Sequence, residues 1–115
     1  MRLDIASLGP MIESEYPGGM NVEWVIPDGN RREMSLRVWE RGAGITQACG
    51  TGTTASSFVA NALGLVDDVV TVHNPGGDLS VRMTADQCYL TGPAQKICEV
   101  AVTSSQLNAM AASVK

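Results

Sequence analysis

The stretch Glu40-Arg41-Gly42-Ala43-Gly44-Ile45-Thr46-Gln47-Ala48-Cys49-Gly50-Thr51-Gly52-Thr53-Thr54-Ala55 decides how the chain is read. It sets a charged pair, a glycine-rich bend and a cysteine directly before a run of small residues with helical character. A helix start carries unpaired backbone N–H groups and the positive end of the helix dipole. Such an end binds a carboxylate and lowers the pKa of a thiol placed beside it. Glycines at 50 and 52 remove the Cβ atoms that would keep an anion off the backbone. Cys49 is therefore expected to be a proton-transfer thiol, with Gly50 and Thr51 helping to hold a substrate carboxylate. A lone cysteine also suits a buried packing role. Packing alone, however, requires neither the following glycine nor the Glu40-Arg41 pair upstream.

Beyond the cysteine, from Gly50 or Thr51 to Leu63, the apolar residues Ala55, Phe58, Val59, Ala62 and Leu63 follow helical spacing, and Gly64 supplies the stop. The other side carries Thr54, Ser56, Ser57 and Ala60, small residues without long charges. Such a helix is expected to be surrounded by protein, as if threaded through a barrel. Before the motif, Arg32 to Arg41 reads as a strand with Met34, Leu36 and Val38 on one face. The period of two puts Glu40 on that same face, where a carboxylate needs a partner or a ligand unless it emerges into solvent.

An earlier strand spans Met20 to Ile26, with Val22, Trp24 and Ile26 on one face and Asn21, Glu23 and Val25 on the other; Pro27-Asp28-Gly29-Asn30 closes it. The apolar run of Leu3, Ile5 and Leu8 fits a short helix or a strand, broken by Gly9-Pro10. Later strands are expected at Val69–His73, Leu79–Met83, Cys88–Thr91 and Lys96–Val102, separated by turns at Asn74-Pro75-Gly76-Gly77, Thr84-Ala85-Asp86 and Gly92-Pro93. Short strands around one buried helix predict an α+β fold, a barrel-like antiparallel or mixed sheet wrapped around a central helix. Residues 1–103 are expected to form this domain, with 104–115 a tail, Ala- and Ser-rich, that is helical or disordered. His73, at a strand end beside a turn, reads as structural or solvated; Cys88 and Cys98 read as core residues, and Met11, Met20, Met34 and Met83 as core filler.

Length and composition exclude several classes. The 115 residues suffice for one core, and 44% hydrophobic with 17% charged residues describes a folded, soluble protein. A net charge of −4 without a basic cluster argues against nucleic acid. No apolar run has the length of a membrane helix, and the start Met1-Arg2-Leu3-Asp4-Ile5 lacks the apolar core of a signal peptide. Three cysteines without framework spacing fit a reducing compartment, so a cytoplasmic location is expected. One histidine and no CxxC disfavour a structural zinc site.

The segment Arg37-Val38-Trp39-Glu40-Arg41-Gly42-Ala43-Gly44, followed by Ala48-Cys49-Gly50-Thr51-Gly52, closely resembles the C-terminal half of the diaminopimelate epimerase family. The likeness continues at Leu8-Gly9-Pro10-Met11-Ile12-Glu13 and Asn21-Val22-Glu23-Trp24-Val25, and at Asn74-Pro75-Gly76-Gly77-Asp78-Leu79 and Leu90-Thr91-Gly92-Pro93-Ala94, in the family's order. Cys-Gly-Thr-Gly alone is less specific, because proline-racemase-like enzymes carry a similar motif.

The resemblance implies an isomerase that inverts an amino acid α-carbon between two thiols, without pyridoxal phosphate or metal. It makes Cys49 one of the thiols, Glu40 and Arg41 recognition groups for the substrate's polar ends, Asn21 a further substrate contact, and Gly50 with Thr51 the α-carboxylate site. The family's second thiol comes from an N-terminal half with its own Cys-Gly motif, and an Asn-Pro-His segment lies just upstream of the matched region; neither is in this sequence. Ile45 and Gln47 stand where the family more often has an acidic residue and a leucine, and Cys98 where an aromatic helps its subunits associate. Three arrangements follow: a half active with a separate N-terminal half, a homodimer bringing two Cys49 thiols together, or a non-catalytic binding module that keeps the helix start. A racemase of the proline-racemase-like group is the alternative activity.

Overall fold

The computed structural model describes residues 4–113. Within them the chain runs α1 (Ile5–Ser14), β1 (Val22–Pro27), β2 (Glu33–Glu40), β3 (Gly44–Thr46), α2 (Gly50–Ala62), β4 (Val69–Asn74), β5 (Gly77–Met83), β6 (Cys88–Thr91) and α3 (Ser104–Ala112). Leu3 of the first apolar run and the last two residues of the tail lie outside the described residues.

Gly9-Pro10 does not break the first element. Asp4 caps α1, its carboxylate accepting from the backbone N–H and hydroxyl of Ser7, and the helix continues through Pro10. Gly9 is needed for contact: a Cβ there would lie 2.4 Å from the Trp39 ring. The Trp39 indole N–H donates to Glu13 at 2.7 Å, so α1 is fastened to β2 by one aromatic residue.

The sheet is mixed, in the order β1-β2-β4-β5-β6, with β3 folded back on the end of β2. All pairings are antiparallel except β2 with β4. Parallel neighbours require a crossover, and α2 lies in it. The chain leaves β2 at Glu40, folds back as β3 and enters α2 through its N-cap, Cys49.

Period-two alternation turns Met34, Leu36 and Val38 of β2, Val70 and Val72 of β4, and Val81 and Met83 of β5 inward, where they are buried. Ala60 and Val66 join this core, and Val25 packs against it. Two expectations change here. The sheet is open: β1 and β6 are not paired among the described residues, so the barrel is not closed, although α2 packs against both of them and against β4 and β5. And α2 buries its small face, Gly52, Thr53, Ser56, Ser57 and Ala60, while Phe58, Val59 and Leu63 are 60%, 55% and 69% exposed. Small side chains let a helix lie close on a sheet, so the bulky stripe is left facing outward.

Further differences follow from exposure and pairing. Cys88 and Cys98 are exposed, not core residues, and of the four methionines only Met34 and Met83 are buried; Met11 and Met20 are exposed. Lys96–Val102 forms no strand and is exposed throughout, with Ile97 at 94% and Val100 at 78%. Alternation supplies a pattern, but a strand also needs a partner. The tail forms α3, opened by a capping box between Thr103 and Gln106 and without a buried residue.

Candidate functional site

Cys49 is the N-cap of α2. Its backbone is extended and its sulfur accepts from the Gly52 N–H at 3.4 Å, with the Thr51 hydroxyl also at 3.4 Å. The residue is 8% exposed. Its sulfur therefore meets polar groups of the helix's first turn, and is not enclosed by aliphatic side chains alone. The loop leading to it is tied down from a distance: the Gly76 N–H donates to the Gln47 carbonyl at 2.8 Å. A Cβ at Gly76 would lie 3.0 Å from that of Gln47, so the Asn74-Pro75-Gly76-Gly77 turn is shaped to support the thiol loop.

Gly50 and Thr51 form the first turn as expected, and the Thr54 hydroxyl donates back to the Gly50 carbonyl at 2.9 Å. An open groove of about 600 Å³ runs past Gly50, Thr51 and Phe58 and is walled by Cys88 and Leu90 of β6.

Glu40 sits at the end of β2, partly buried on the inward face as its alternation requires, and accepts a short hydrogen bond from the Thr46 hydroxyl of β3. The partner that an inward carboxylate needs is thus supplied by a strand too short to be recognised in the sequence. Arg41 points elsewhere. Its backbone N–H donates to the Asn21 side chain at 2.9 Å, and its guanidinium donates to the Gly18 carbonyl at 2.9 Å, near Glu13 of α1. The expected residues therefore fall into two groups: Asn21 with Arg41 beside the Gly18-Gly19 loop, and Cys49, Gly50 and Thr51 at the start of α2, to which Glu40 is linked through its charge on Glu23.

Glu23 connects the second group, and sequence reasoning missed it. Strand pairing sets it opposite Val38, which shares the inward face with Glu40. Its carboxyl lies against the start of α2, 2.5 Å from the point where a Gly52 Cβ would stand; the Cys49 sulfur lies 3.3 Å from the same point. Burial first, and then the charge of Glu40, raises the Glu23 pKa above the usual carboxylate value. The available signal was that Glu23 shares a strand face with Asn21 and Val25. His73, on the far strands, binds Asp78 at 2.8 Å and lies 3.7 Å from Glu33, a surface cluster in keeping with a structural or solvated role. Among the described residues, no group of three or more His, Cys, Asp or Glu side chains is arranged to hold a metal, and no helix is long and apolar enough to cross a membrane.

Fold and site together define an α+β domain whose crossover helix starts on a cysteine and two glycines, with the Glu23 carboxyl of β1 brought up to that start. The chain belongs to the diaminopimelate epimerase family: the model described as "Diaminopimelate epimerase" matches residues 6–97. It is 46% identical over 100 residues to the diaminopimelate epimerase of Bacillus licheniformis, covering 83% of this chain and 35% of that protein. Against the Bacillus subtilis protein of that name it is 44% identical over 100 residues, with the same two coverages. The Desulfitobacterium hafniense protein is 47% identical over 95 residues, 80% of this chain and 33% of its own length. The chain thus spans about a third of the length of these curated relatives.

Proposed function

We propose that this chain supplies one half-site of a cofactor-independent amino acid epimerase that interconverts LL- and meso-diaminopimelate, a step of lysine and cell-wall precursor synthesis. The observation that carries the reading is the seat of Cys49, at the start of a buried-faced helix, with polar groups around its sulfur. In the reaction, one thiolate removes the α-proton and becomes a thiol. The second thiol donates its proton to the opposite face and becomes a thiolate, so the configuration inverts and no net charge is gained. Negative charge accumulates on the substrate carboxylate as the α-carbon loses its proton. Backbone N–H groups at Gly50 and Thr51, already oriented by the helix, would stabilise that charge without reorganising. Glu40 and Arg41 would recognise the ammonium and carboxylate groups of the substrate, with Asn21 holding the Arg41 backbone in place.

The second thiol would come from an N-terminal half, supplied separately or on the same protein, and strands from that part would be candidates to complete the open sheet. A homodimer that apposes two Cys49 residues is the competing source. The exposed Phe58, Val59 and Leu63 stripe suits coverage by further protein in either arrangement. The test is exchange of the substrate α-proton in heavy water, with diaminopimelate, with and without the N-terminal half of a family member. Exchange that requires the added half and is lost in Cys49→Ala supports the reading. Exchange by the isolated chain, second order in its concentration, would favour the dimer. No exchange in any combination would leave a non-catalytic binding module.

A further inference from the structure

We propose that Glu23 is a positioning residue that governs how readily the Cys49 sulfur reacts, through the charge its carboxyl brings to the start of α2. This rests on the reading of Cys49 as the reacting thiol. The geometry is specific. The Glu23 carboxyl and the Cys49 sulfur flank the bare α-carbon of Gly52, and a Cβ there would meet the carboxyl oxygen at 2.5 Å and its carbon at 3.2 Å. The close approach of the acid therefore calls for glycine at position 52. The same Gly52 donates its N–H to the sulfur, so a residue that stabilises electron density on sulfur is also the one the carboxyl covers. Among the described residues the Glu23 carboxyl makes no ion pair.

The groups facing this end of α2 are few. Glu23 comes from β1, within reach of the charge of Glu40 at the end of β2, and Cys88 comes from β6 across the groove that holds Gly50 and Thr51. β4 and β5 turn Val70, Val72, Val81 and Met83 toward the core. Glu40 is already bonded to Thr46. Burial, followed by repulsion from Glu40, makes the Glu23 proton harder to lose, which is the expected behaviour of a partly buried acid with a second acid nearby. Once ionised, Glu23 opposes the build-up of negative charge on the neighbouring sulfur and offsets the pull of the helix start. A cationic substrate group or a partner segment that neutralises the acid would then raise the reactivity of the sulfur.

Alkylation of Cys49 by iodoacetamide, in the chain carrying Cys88→Ser and Cys98→Ser, reads the sulfur directly and needs no epimerase activity. The result therefore stands apart from the exchange assay. Glu23→Gln is expected to accelerate alkylation at neutral pH about three- to tenfold and to move the midpoint of its pH profile downward. Glu23→Asp, which keeps the charge, is expected to stay closer to the parent profile. An unchanged or slower rate in folded Glu23→Gln overturns the proposal. If circular dichroism shows that variant to be unfolded, Glu23→Ala decides the matter. It removes the acid and places nothing beside the sulfur, so the same downward movement supports the proposal and its absence refutes it.

Discussion

At position 49 a thiol stands where helices usually place Ser, Thr, Asp or Asn, whose oxygens accept the first N–H groups more strongly than sulfur does. The 3.4 Å contact with Gly52 is a cap of this weaker kind. Cys49→Ser is therefore expected to hold or raise the melting temperature, by an amount corresponding to no more than about 1 kcal/mol, and to abolish the α-proton exchange proposed for the chain paired with an N-terminal half. Thermal denaturation and the exchange assay on one preparation check both halves of that statement. Glu23 gives a second separation of stability from chemistry. Its raised pKa means that ionisation works against the folded state. The penalty begins as pH rises through the ordinary value of 4.5 and is complete above the folded-state value. Glu23→Gln should accordingly be more stable than the parent at neutral pH and indistinguishable from it below pH 4.5, as read by melting curves across that range.

The elements carry their own tests. Thr53 lies on the buried face of α2, fully enclosed, and its hydroxyl finds no partner among the described residues. Thr53→Val keeps the shape and removes an unsatisfied polar atom, so a gain of about 1–2 kcal/mol in urea unfolding is expected. In the sheet, His73 of β4 is held by Asp78 of β5 and approached by Glu33 of β2. The hydrogen bond to Asp78 is the main cause of its raised pKa, with Glu33 adding to it. The charged form is thus favoured by folding. The stability it adds is fully present below the unfolded value near 6.5 and is lost as pH rises through the higher folded value. His73→Gln should flatten that part of the stability profile. α1 illustrates how an element escapes a local reading: Gly9-Pro10 looks like punctuation until the Trp39 ring is seen to occupy the space above Gly9. β3 escapes for a related reason, since its three residues become a strand only by pairing with β2.

Across the whole molecule, large apolar side chains remain on the outside: Phe58 and Leu63 on α2, Ile97 and Val100 on the segment after β6. An extended chain with such residues is poorly hydrated and associates readily. Light scattering of the isolated chain is expected to show a mass that rises with concentration, and Phe58→Glu together with Leu63→Glu should shift it toward the monomer. A concentration-independent monomer in the parent would argue against exposed α2 as an associating face. The long dimension of 54 Å, against 32 and 27 Å for the others, belongs to the same picture of a fold whose parts reach beyond its own core.

Local chemistry was enough to find Cys49 at a helix start, Glu40 on the inward face of a strand and the approximate bounds of β1, β2, α2, β4, β5 and β6, because caps, glycines and a period of two act over a few residues. Which face of α2 is buried, where Arg41 points and what Glu23 covers were decided only by the tertiary structure. Those features depend on residues far apart in the chain: the tight approach of small side chains to the sheet, the Gly18-Gly19 loop that receives Arg41, and the pairing of β1 with β2 that brings Glu23 to Gly52. Periodicity states that a residue has a side; only packing against a distant neighbour states what lies there.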